Sequence, residues 1–184
     1  MKLSKASKLL LLGIILVIID QVVKVVVKTN MELGDQIFVL GNWFRICFVE
    51  NEGMAFGMKW GGAVGKFLLS LFRICLCGAL IWWIRSLIRK GVAPTGVLVG
   101  LTLITAGAFG NIIDSLFYGV VWDYAPVMFG KVVDMFYFPL IRNAAGDVVF
   151  FQPVFNFADS CVTVGAFYLV LFHWRFFASD GAEK

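Results

Sequence analysis

Histidine is almost absent from this sequence: its single histidine, His173, lies close to the end of the 184 residues. Hydrolases of the triad type and most zinc sites place an imidazole at the reacting centre. The cysteines show no CxxC spacing, which argues against thiolate metal sites and redox motifs as well. We therefore expect no metal and no cofactor. We interpret the four cysteines as apolar filling of the interior: Cys47, Cys75, Cys77 and Cys161.

Charged residues are also scarce, at 15% of the chain, whereas 60% of the residues are hydrophobic and the mean hydropathy is +0.88. A soluble domain of this length cannot bury so much apolar surface in one core. The net charge of +4 is small, and lysine and arginine gather at the ends of apolar segments, which disfavours nucleic-acid binding. The composition predicts a single all-α membrane domain over residues 1–184.

Four apolar segments are long enough to cross a bilayer as helices. We place them at about residues 9–28, 67–88, 96–114 and 155–174, with long loops at about 29–66 and 115–154. The first segment begins like a secretory signal, but it continues past Asp20 and Lys24 and no cleavage site follows. Basic residues flank both termini and the link between helices two and three. The positive-inside bias therefore puts both termini in the cytoplasm and both long loops outside.

The two outer loops contain patterns typical of strands. Residues Gln36–Leu40 and Trp43–Val49 are rich in β-branched and aromatic residues and flank the turn Gly41-Asn42, which predicts a hairpin. The hairpin leads into Asn51 and Gly53, where a glycine allows backbone to approach a ligand closely. In the second loop, residues Val132–Leu140 form an apolar strand or a membrane-dipping segment.

Polar residues recur at the predicted outer ends of the helices. An aspartate at the middle of a bilayer costs roughly 2.5 to 3.5 kcal/mol, so an intramembrane acid is functional by default. In the third helix Gly107, Asn111 and Asp114 share one face, and in the fourth Asn156 and Asp159 do so. The residues predicted to meet at one level of the outer leaflet are Asp20, Lys24, Asn111, Asp114, Asp134, Asn156 and Asp159.

Paired carboxylates are the strongest reagent that this set offers. Two aspartates held close together cannot both ionise cheaply, so one keeps a proton at neutral pH while the other acts as a base on water. Such a pair can hydrolyse an amide without a covalent intermediate. Neighbouring amides and acids can hold a substrate backbone and orient the pair.

The chain resembles the lipoprotein signal peptidases, or signal peptidase II, a family of bacterial intramembrane aspartyl proteases. Five short motifs carry the resemblance, in family order along nearly the whole chain: Asp20-x-x-x-Lys24, Asn51-x-Gly53-x-Ala55-Phe56, Gly110-Asn111-Ile112-Ile113-Asp114, Gly130-x-Val132-Val133-Asp134 and Phe155-Asn156-x-Ala158-Asp159. Each motif alone is weak, but five of them in order are specific. The resemblance implies a bundle of four transmembrane helices and a small extracytoplasmic β-cradle that includes the hairpin. Relative to the family, the outer loop carries an insertion.

The same resemblance implies the roles of individual residues. Asp134 and Asp159 would be the catalytic dyad. The residues that bind substrate or support the dyad would be Asp20, Lys24, Asn51, Gly53, Asn111, Asp114 and Asn156. The substrate would be a diacylglyceryl-modified prolipoprotein, cleaved on the amino side of its lipidated cysteine in the bacterial inner membrane. The partners would be that substrate and membrane lipid, and the enzyme would act as a monomer.

The chain departs from the family pattern at two points. Ser115 stands where the family commonly has arginine, so a guanidinium contact there is either missing or supplied by Arg73 or Arg142. For Arg73 itself, snorkelling to the membrane interface is favoured over pairing with an acid. The loop spacing fits Asp123 better than Asp134 as the catalytic acid, but the Val-Val-Asp context favours Asp134.

Structural interpretations compete with the functional ones. Asp159 with Asn156 would serve as a helix cap, Asp114 as an exposed helix end, and the Asp20–Lys24 pair as an architectural ion pair. Asn51 with Gly53 would form a plain turn. A small proton-coupled carrier and a non-enzymatic scaffold are alternative functions, although the two similar halves expected of a carrier are absent. A Ser/Lys membrane peptidase would combine one serine and one lysine from Ser115, Ser160, Lys24 and Lys131.

Overall fold

A computed structural model of the protein describes residues 3–52, 62–143, 148–150 and 153–179. Within these ranges four helices are long and apolar enough to cross a membrane. They are α1 (Lys5–Asn30), α2 (Gly62–Lys90), α3 (Thr95–Ile113) and α5 (Phe157–Ser179); α3 continues through a π-helical turn (Asp114–Tyr118) into the single turn α4 (Gly119–Val121). The predicted bundle of four membrane helices is confirmed.

The helix α3 is the centre of the bundle. It packs against α1, α2 and α5. In its apolar 18-residue stretch 56% of the residues are buried inside the protein, against 11–17% in the corresponding stretches of the other three helices. The outer helices turn large apolar side chains outward, such as Leu10, Phe72 and Phe172. Those exposed faces fit a lipid solvent, because they consist mainly of apolar side chains.

Glycines on α3 allow close packing against α1 and α5. A Cβ atom on Gly107 would lie 2.2 Å from the carbonyl oxygen of Ala158, at the start of α5. A Cβ atom on Gly110 would lie 2.5 Å from Oδ2 of Asp20 in α1. Only glycine admits these approaches, so α1 and α5 meet α3 at the level of the polar residues.

The third membrane helix extends further than the expected end at residue 114. The π turn and α4 carry it to Val121, and the hydroxyl of Ser115 donates to the carbonyl oxygen of Asn111 at 2.9 Å. Asp114 and Ser115 are 0% and 1% exposed. The prediction of a loop from residue 115 is therefore wrong over this turn, and so is the interpretation of Asp114 as an exposed helix end.

The outer loops form an antiparallel sheet in the order β1-β2-β3-β6. Its strands are β1 (Gln36–Leu40), β2 (Phe44–Asn51), β3 (Val132–Tyr137) and β6 (Val154–Phe155), and a separate pair joins β4 (Ile141–Arg142) to β5 (Val148–Phe150). The hairpin and the strand beginning at Val132 are confirmed, so β3 is not a membrane-dipping segment. Because β6 takes residues 154–155, α5 begins at Phe157 instead of at 155.

The strand β3 is buried on both faces. Val133 and Met135, both 0% exposed, pack with Val27 of α1 and Phe48 of β2. Successive side chains of a strand point to opposite faces. Asp134, 2% exposed, therefore points away from this apolar cluster, towards the start of α5.

Candidate active site

Asp134 lies in the middle of β3 and is held by two side-chain amides. Nδ2 of Asn51 donates to its Oδ2 at 3.0 Å, and Nδ2 of Asn156 donates to its Oδ1 at 2.7 Å. Burial raises the pKa of Asp134 to about 7, and the negative charge of Asp159 adds to this effect. At neutral pH a large share of Asp134 therefore carries a proton.

Asp159 lies in the first turn of α5 and is half-buried. Nδ2 of Asn111 donates to its Oδ1 at 2.8 Å. Its Oδ2 accepts the backbone N–H of Asn156 at 3.3 Å, while Oδ1 of Asn156 accepts the backbone N–H of Asp159 at 2.9 Å. This is a reciprocal capping box. Asp159 therefore caps the helix through its Oδ2, as the structural interpretation predicts, while its Oδ1 faces the polar cluster.

Asn156 joins the two carboxylates. It is fully buried, and its Nδ2 donates to Asp134 and also to Oδ1 of Asn111 at 3.1 Å. The side-chain amide of Asn156 thus holds Asp134. The backbone N–H of Asn156 donates to the carboxylate of Asp159, and the side-chain oxygen of Asn156 accepts the backbone N–H of Asp159. One residue therefore brings the acid from the outer loop to the acid from the last helix.

Lys24 supplies a buried cation behind the two acids. Its Nζ lies 2.8 Å from Oδ2 of Asp20, 2.8 Å from Oδ2 of Asp114 and 2.8 Å from Oδ1 of Asn111. All three of its N–H groups therefore have partners, which a buried ammonium requires. The pair predicted from i, i+4 spacing exists, and it is part of a larger network.

Asp20 and Asp114 each hold the backbone next to one of the two other acids. Oδ1 of Asp20 accepts the backbone N–H of Ala158 at 2.9 Å, and Oδ2 of Asp114 accepts that of Val133 at 3.3 Å. Ala158 directly precedes Asp159, and Val133 directly precedes Asp134. The supporting carboxylates therefore fix the positions of the start of α5 and the middle of β3.

Two residues of the polar network, Gln21 and Tyr118, were not predicted from the sequence. Nε2 of Gln21 contacts Oδ2 of Asp20 at 3.1 Å, Oδ1 of Asp114 at 2.9 Å and the carbonyl oxygen of Gly110 at 3.1 Å. The hydroxyl of Tyr118 donates to Oε1 of Gln21 at 3.2 Å. The signal available was an amide inside an apolar segment, where a polar group needs a partner. Tyr118 gave no such signal, because the helix was expected to end before it.

Arg73 points into the protein. Its Nη1 donates to the hydroxyl of Ser115 at 3.1 Å. The favoured expectation of snorkelling to the membrane interface is therefore wrong.

The remaining candidates lie apart from this cluster or outside the described residues. Asp123 is exposed and has a positive φ of 54°, at the end of α4. Gly53 and the rest of its motif, Ala55 and Phe56, lie outside the described residues, as does the side chain of Arg142.

The structure also separates the serines from the lysines. The hydroxyl of Ser160 donates to the carbonyl oxygen of Asn156 at 3.1 Å, and Ser115 contacts Asn111 and Arg73. Lys24 binds acids, and Lys131 donates to Glu50 at 3.1 Å. In the ranges that the structure describes, no hydrogen bond pairs either serine with either lysine.

Comparison with known proteins finds relatives along most of the chain. A family model described as signal peptidase (SPase) II matches residues 12–175. The chain is 44% identical to a lipoprotein signal peptidase of Porphyromonas gingivalis, over 88% of this chain and 80% of that protein. It is 37% identical to a lipoprotein signal peptidase of Amoebophilus asiaticus, over 91% of this chain and 78% of that protein.

Two solved structures, each described as that of a bacterial membrane enzyme, have a similar fold. The first has a TM-score of 0.67 at 26% identity and covers 97% of this chain and 92% of its own. The second has a TM-score of 0.64 at 28% identity, over 90% and 91%. The likeness extends over nearly the whole chain, from α1 to α5.

Proposed function

Since this chain belongs to the signal peptidase II family, we propose that Asp134 and Asp159 are the pair that activates water for its reaction. The protein is an aspartic-type peptidase of the inner membrane that removes signal peptides from prolipoproteins. The observation that carries the proposed dyad is Asn156, whose amide groups hold both carboxylates.

Asp134 and Asp159 have different catalytic roles because their surroundings differ. Asp134 is buried in a strand, and its raised pKa of about 7 keeps a proton available. Asp159 lies at the amino end of α5, where the helix dipole and the donors Asn111 and Asn156 favour a negative charge. We therefore infer that Asp159 is the base and Asp134 the acid.

The chemical steps follow from that assignment. Asp159 takes a proton from water as the water oxygen bonds to the scissile carbonyl carbon, and Asp134 gives its proton to the carbonyl oxygen. The resulting diol collapses when the peptide C–N bond breaks and the leaving nitrogen takes the proton held by Asp159. The proton on the diol hydroxyl returns to Asp134, and the pair regains its starting state.

We propose that the supporting residues act by position. Asp20, Lys24 and Asp114 hold the backbone before each acid, and Asn111 and Asn51 orient the two carboxylates. Asn51 is the last residue of β2, so a substrate segment lying along β2 would meet Asp134. Gly53 is proposed to let the substrate backbone approach.

The substrate is proposed to be a diacylglyceryl-modified prolipoprotein, cleaved on the amino side of the lipidated cysteine. This fits a site at the ends of helices whose outward faces are apolar, because acyl chains can then stay in the membrane. With basic residues at both termini and after α2, the positive-inside bias places the site at the extracytoplasmic leaflet. The enzyme is proposed to act as a monomer.

The test uses purified protein in detergent with a diacylated precursor and its unmodified form. Asp134→Asn and Asp159→Asn should each abolish cleavage of the diacylated precursor, because one lacks the acid and the other the base. Asp123→Asn is the matched control in the same loop, and it should keep most activity. Retained activity in either dyad variant removes that residue from the pair, and loss of activity in Asp123→Asn reverses the choice of loop acid.

The Ser/Lys alternative predicts a different pattern in the same assay. Ser115→Ala and Ser160→Ala should keep measurable cleavage if two aspartates act on water, since neither hydroxyl is a nucleophile in that scheme. Complete loss in one of them, with cleavage retained in Asp159→Asn, would favour the Ser/Lys mechanism. Equal cleavage of both precursors would contradict the proposed lipid requirement.

A further inference from the structure

The membrane helix α2 has a polar stripe on one face. Lys66, Ser70 and Arg73 are spaced i, i+4 and i+7, and Lys66 and Ser70 are 8% and 2% exposed. Nζ of Lys66 donates to the carbonyl oxygen of Glu52 at 2.7 Å, and the Ser70 hydroxyl to that of Met128 at 2.9 Å. The stripe therefore faces the outer loops and the active-site side of the protein.

Arg73 is the deepest member of this stripe. It lies about 16 Å along α2 from the first residue of the helix, at 1.5 Å per residue. A guanidinium at that depth in a membrane helix needs a partner inside the protein. Its anchor is Ser115, whose own hydroxyl hydrogen is committed to the carbonyl oxygen of Asn111.

The anchor places Arg73 close to the hydrogen bonds of the dyad. Ser115 contacts Asn111, and Nδ2 of Asn111 donates to Asp159. The carboxylates of Asp159, Asp114 and Asp134 all lie near enough to act on the charge of Arg73. Lys24, a fully buried cation of α1, contacts Asp20 and Asp114 directly. Arg73 is connected to Asp159 through the hydrogen bonds of Ser115 and Asn111.

We propose that Arg73 is a positioning residue of the dyad: its guanidinium, anchored on Ser115, holds Asp159 in the ionised form and leaves the shared proton on Asp134. This inference rests on the proposed roles of Asp134 and Asp159. It gives Ser115 a function as well, because a larger side chain at 115 would occupy the place that Arg73 reaches from α2.

The charge of Asp159 has several neighbours that titrate or carry charge. Arg73 of α2 and Asp134 of β3 interact with its charge directly. The charged groups of the adjoining network are Asp20 and Lys24 of α1, Asp114 of the π turn and Lys66 of α2. Removing one positive charge from this set weakens the electrostatic support of the proposed base. The active fraction should then fall at the acid end of the pH range, where the base must stay ionised.

The experiment measures kcat and KM for the diacylated precursor between pH 5 and 9. Arg73→Gln should lower kcat about tenfold or more at pH 6, with KM little changed, and should move the acid limb of the profile to higher pH by about one unit, since one unit corresponds to a tenfold change. Arg73→Lys keeps the charge and should restore much of the rate and the position of the acid limb. Arg89→Gln, an exposed arginine at the other end of α2, is the matched control and should behave as wild type.

Other outcomes overturn the inference. A wild-type acid limb in Arg73→Gln contradicts it, and so does an Arg73→Lys variant that folds yet remains as impaired as Arg73→Gln. Melting temperatures of all variants show whether they fold. The dyad variants separate the two proposals: if Asp134→Asn and Asp159→Asn are inactive but Arg73→Gln is normal, only this inference fails. If the dyad variants are active, the proposed roles of Asp134 and Asp159 are wrong, and this inference is wrong with them.

Discussion

Asp134 and Asp159 are the same residue type in two different environments. Asp134 is 2% exposed in a strand and accepts hydrogen bonds from two neutral amides. Asp159 lies at the start of a helix, where backbone N–H groups favour an anion. Asparagine suits the positions between them, since an amide donates to both acids without adding a third negative charge.

The protonation of Asp134 predicts the alkaline side of the pH profile. The pKa of about 7 lies above its ordinary value, because of burial and then the charge of Asp159, so the proton is present below pH 7 and lost above it. Cleavage of the diacylated precursor should therefore fall by roughly tenfold per pH unit well above pH 7. Initial rates from pH 5.5 to 9 measure this, with Asp123→Asn as control. A rate that stays constant up to pH 9 would contradict the prediction.

At the scale of elements, α3 determines how closely the other helices approach. The glycine face of α3 brings Asp20 of α1 and the start of α5 against it. In lipid there is little hydrophobic drive between helices, so such close contacts supply much of the association. The polar network forms only if this approach is kept.

Gly110→Ala tests that requirement. The new Cβ would lie 2.5 Å from Oδ2 of Asp20, so Asp20 and Lys24 must shift. We expect a destabilisation of about 1 to 3 kcal/mol and a large loss of activity. Gly78→Ala in α2 is the matched control, because its Cβ would meet nothing within 4 Å, and helix propensity favours alanine there. Thermal unfolding in detergent and cleavage assays compare the two. Equal behaviour of both variants would show that the close approach is unimportant.

A second contact between elements ties the end of α1 to the sheet. The ammonium of Lys28 lies 5.2 to 5.4 Å from the ring centres of Phe48, Trp122 and Tyr124, and it also binds Glu50 of β2. Lys131 donates to the other oxygen of Glu50. Burial alone would raise the pKa of Glu50, but the two lysines outweigh it and lower the pKa.

The lowered pKa of Glu50 gives its contribution a pH dependence with a definite sign. The folded state holds Glu50 ionised, so the stabilisation is present above its ordinary pKa of 4.5 and is lost as the pH falls below it. Glu50→Gln should therefore lower the melting temperature at pH 7, and the difference from wild type should shrink towards pH 4. Glu32→Gln, an exposed residue beside the hairpin, is the control and should have little effect. A difference that is unchanged from pH 7 to 4 would contradict this sign.

At the scale of the whole molecule, the polar network lies at one end of a bundle that is otherwise apolar on its outside. The sheet and the acids of the polar network lie towards the ends of α1, α3 and α5 that meet the sheet. Such an arrangement suits chemistry at one membrane surface. A carrier needs polar groups along a path through the bilayer.

The orientation of the bundle is testable by labelling. With the acids at the extracytoplasmic side, Glu32→Cys in the outer loop should react with a membrane-impermeant thiol reagent in intact spheroplasts. Lys5→Cys at the start of α1 should react only after the membrane is permeabilised. The parent protein with its four free cysteines supplies the background. Labelling of Lys5→Cys in intact spheroplasts would contradict the proposed orientation.

The sequence by itself determined the membrane helices, the hairpin and most of the polar cluster. Hydropathy over some 20 residues and the spacing of Asn111 with Asp114, or Asn156 with Asp159, are local properties that survive in any packing. It could not determine the partner of Arg73, the role of Gln21 or the continuation of α3 to Val121. Those depend on what lies opposite each residue across the bundle, and only the tertiary structure brings α2 to Ser115, α1 to Gly110 and β3 to Asn156.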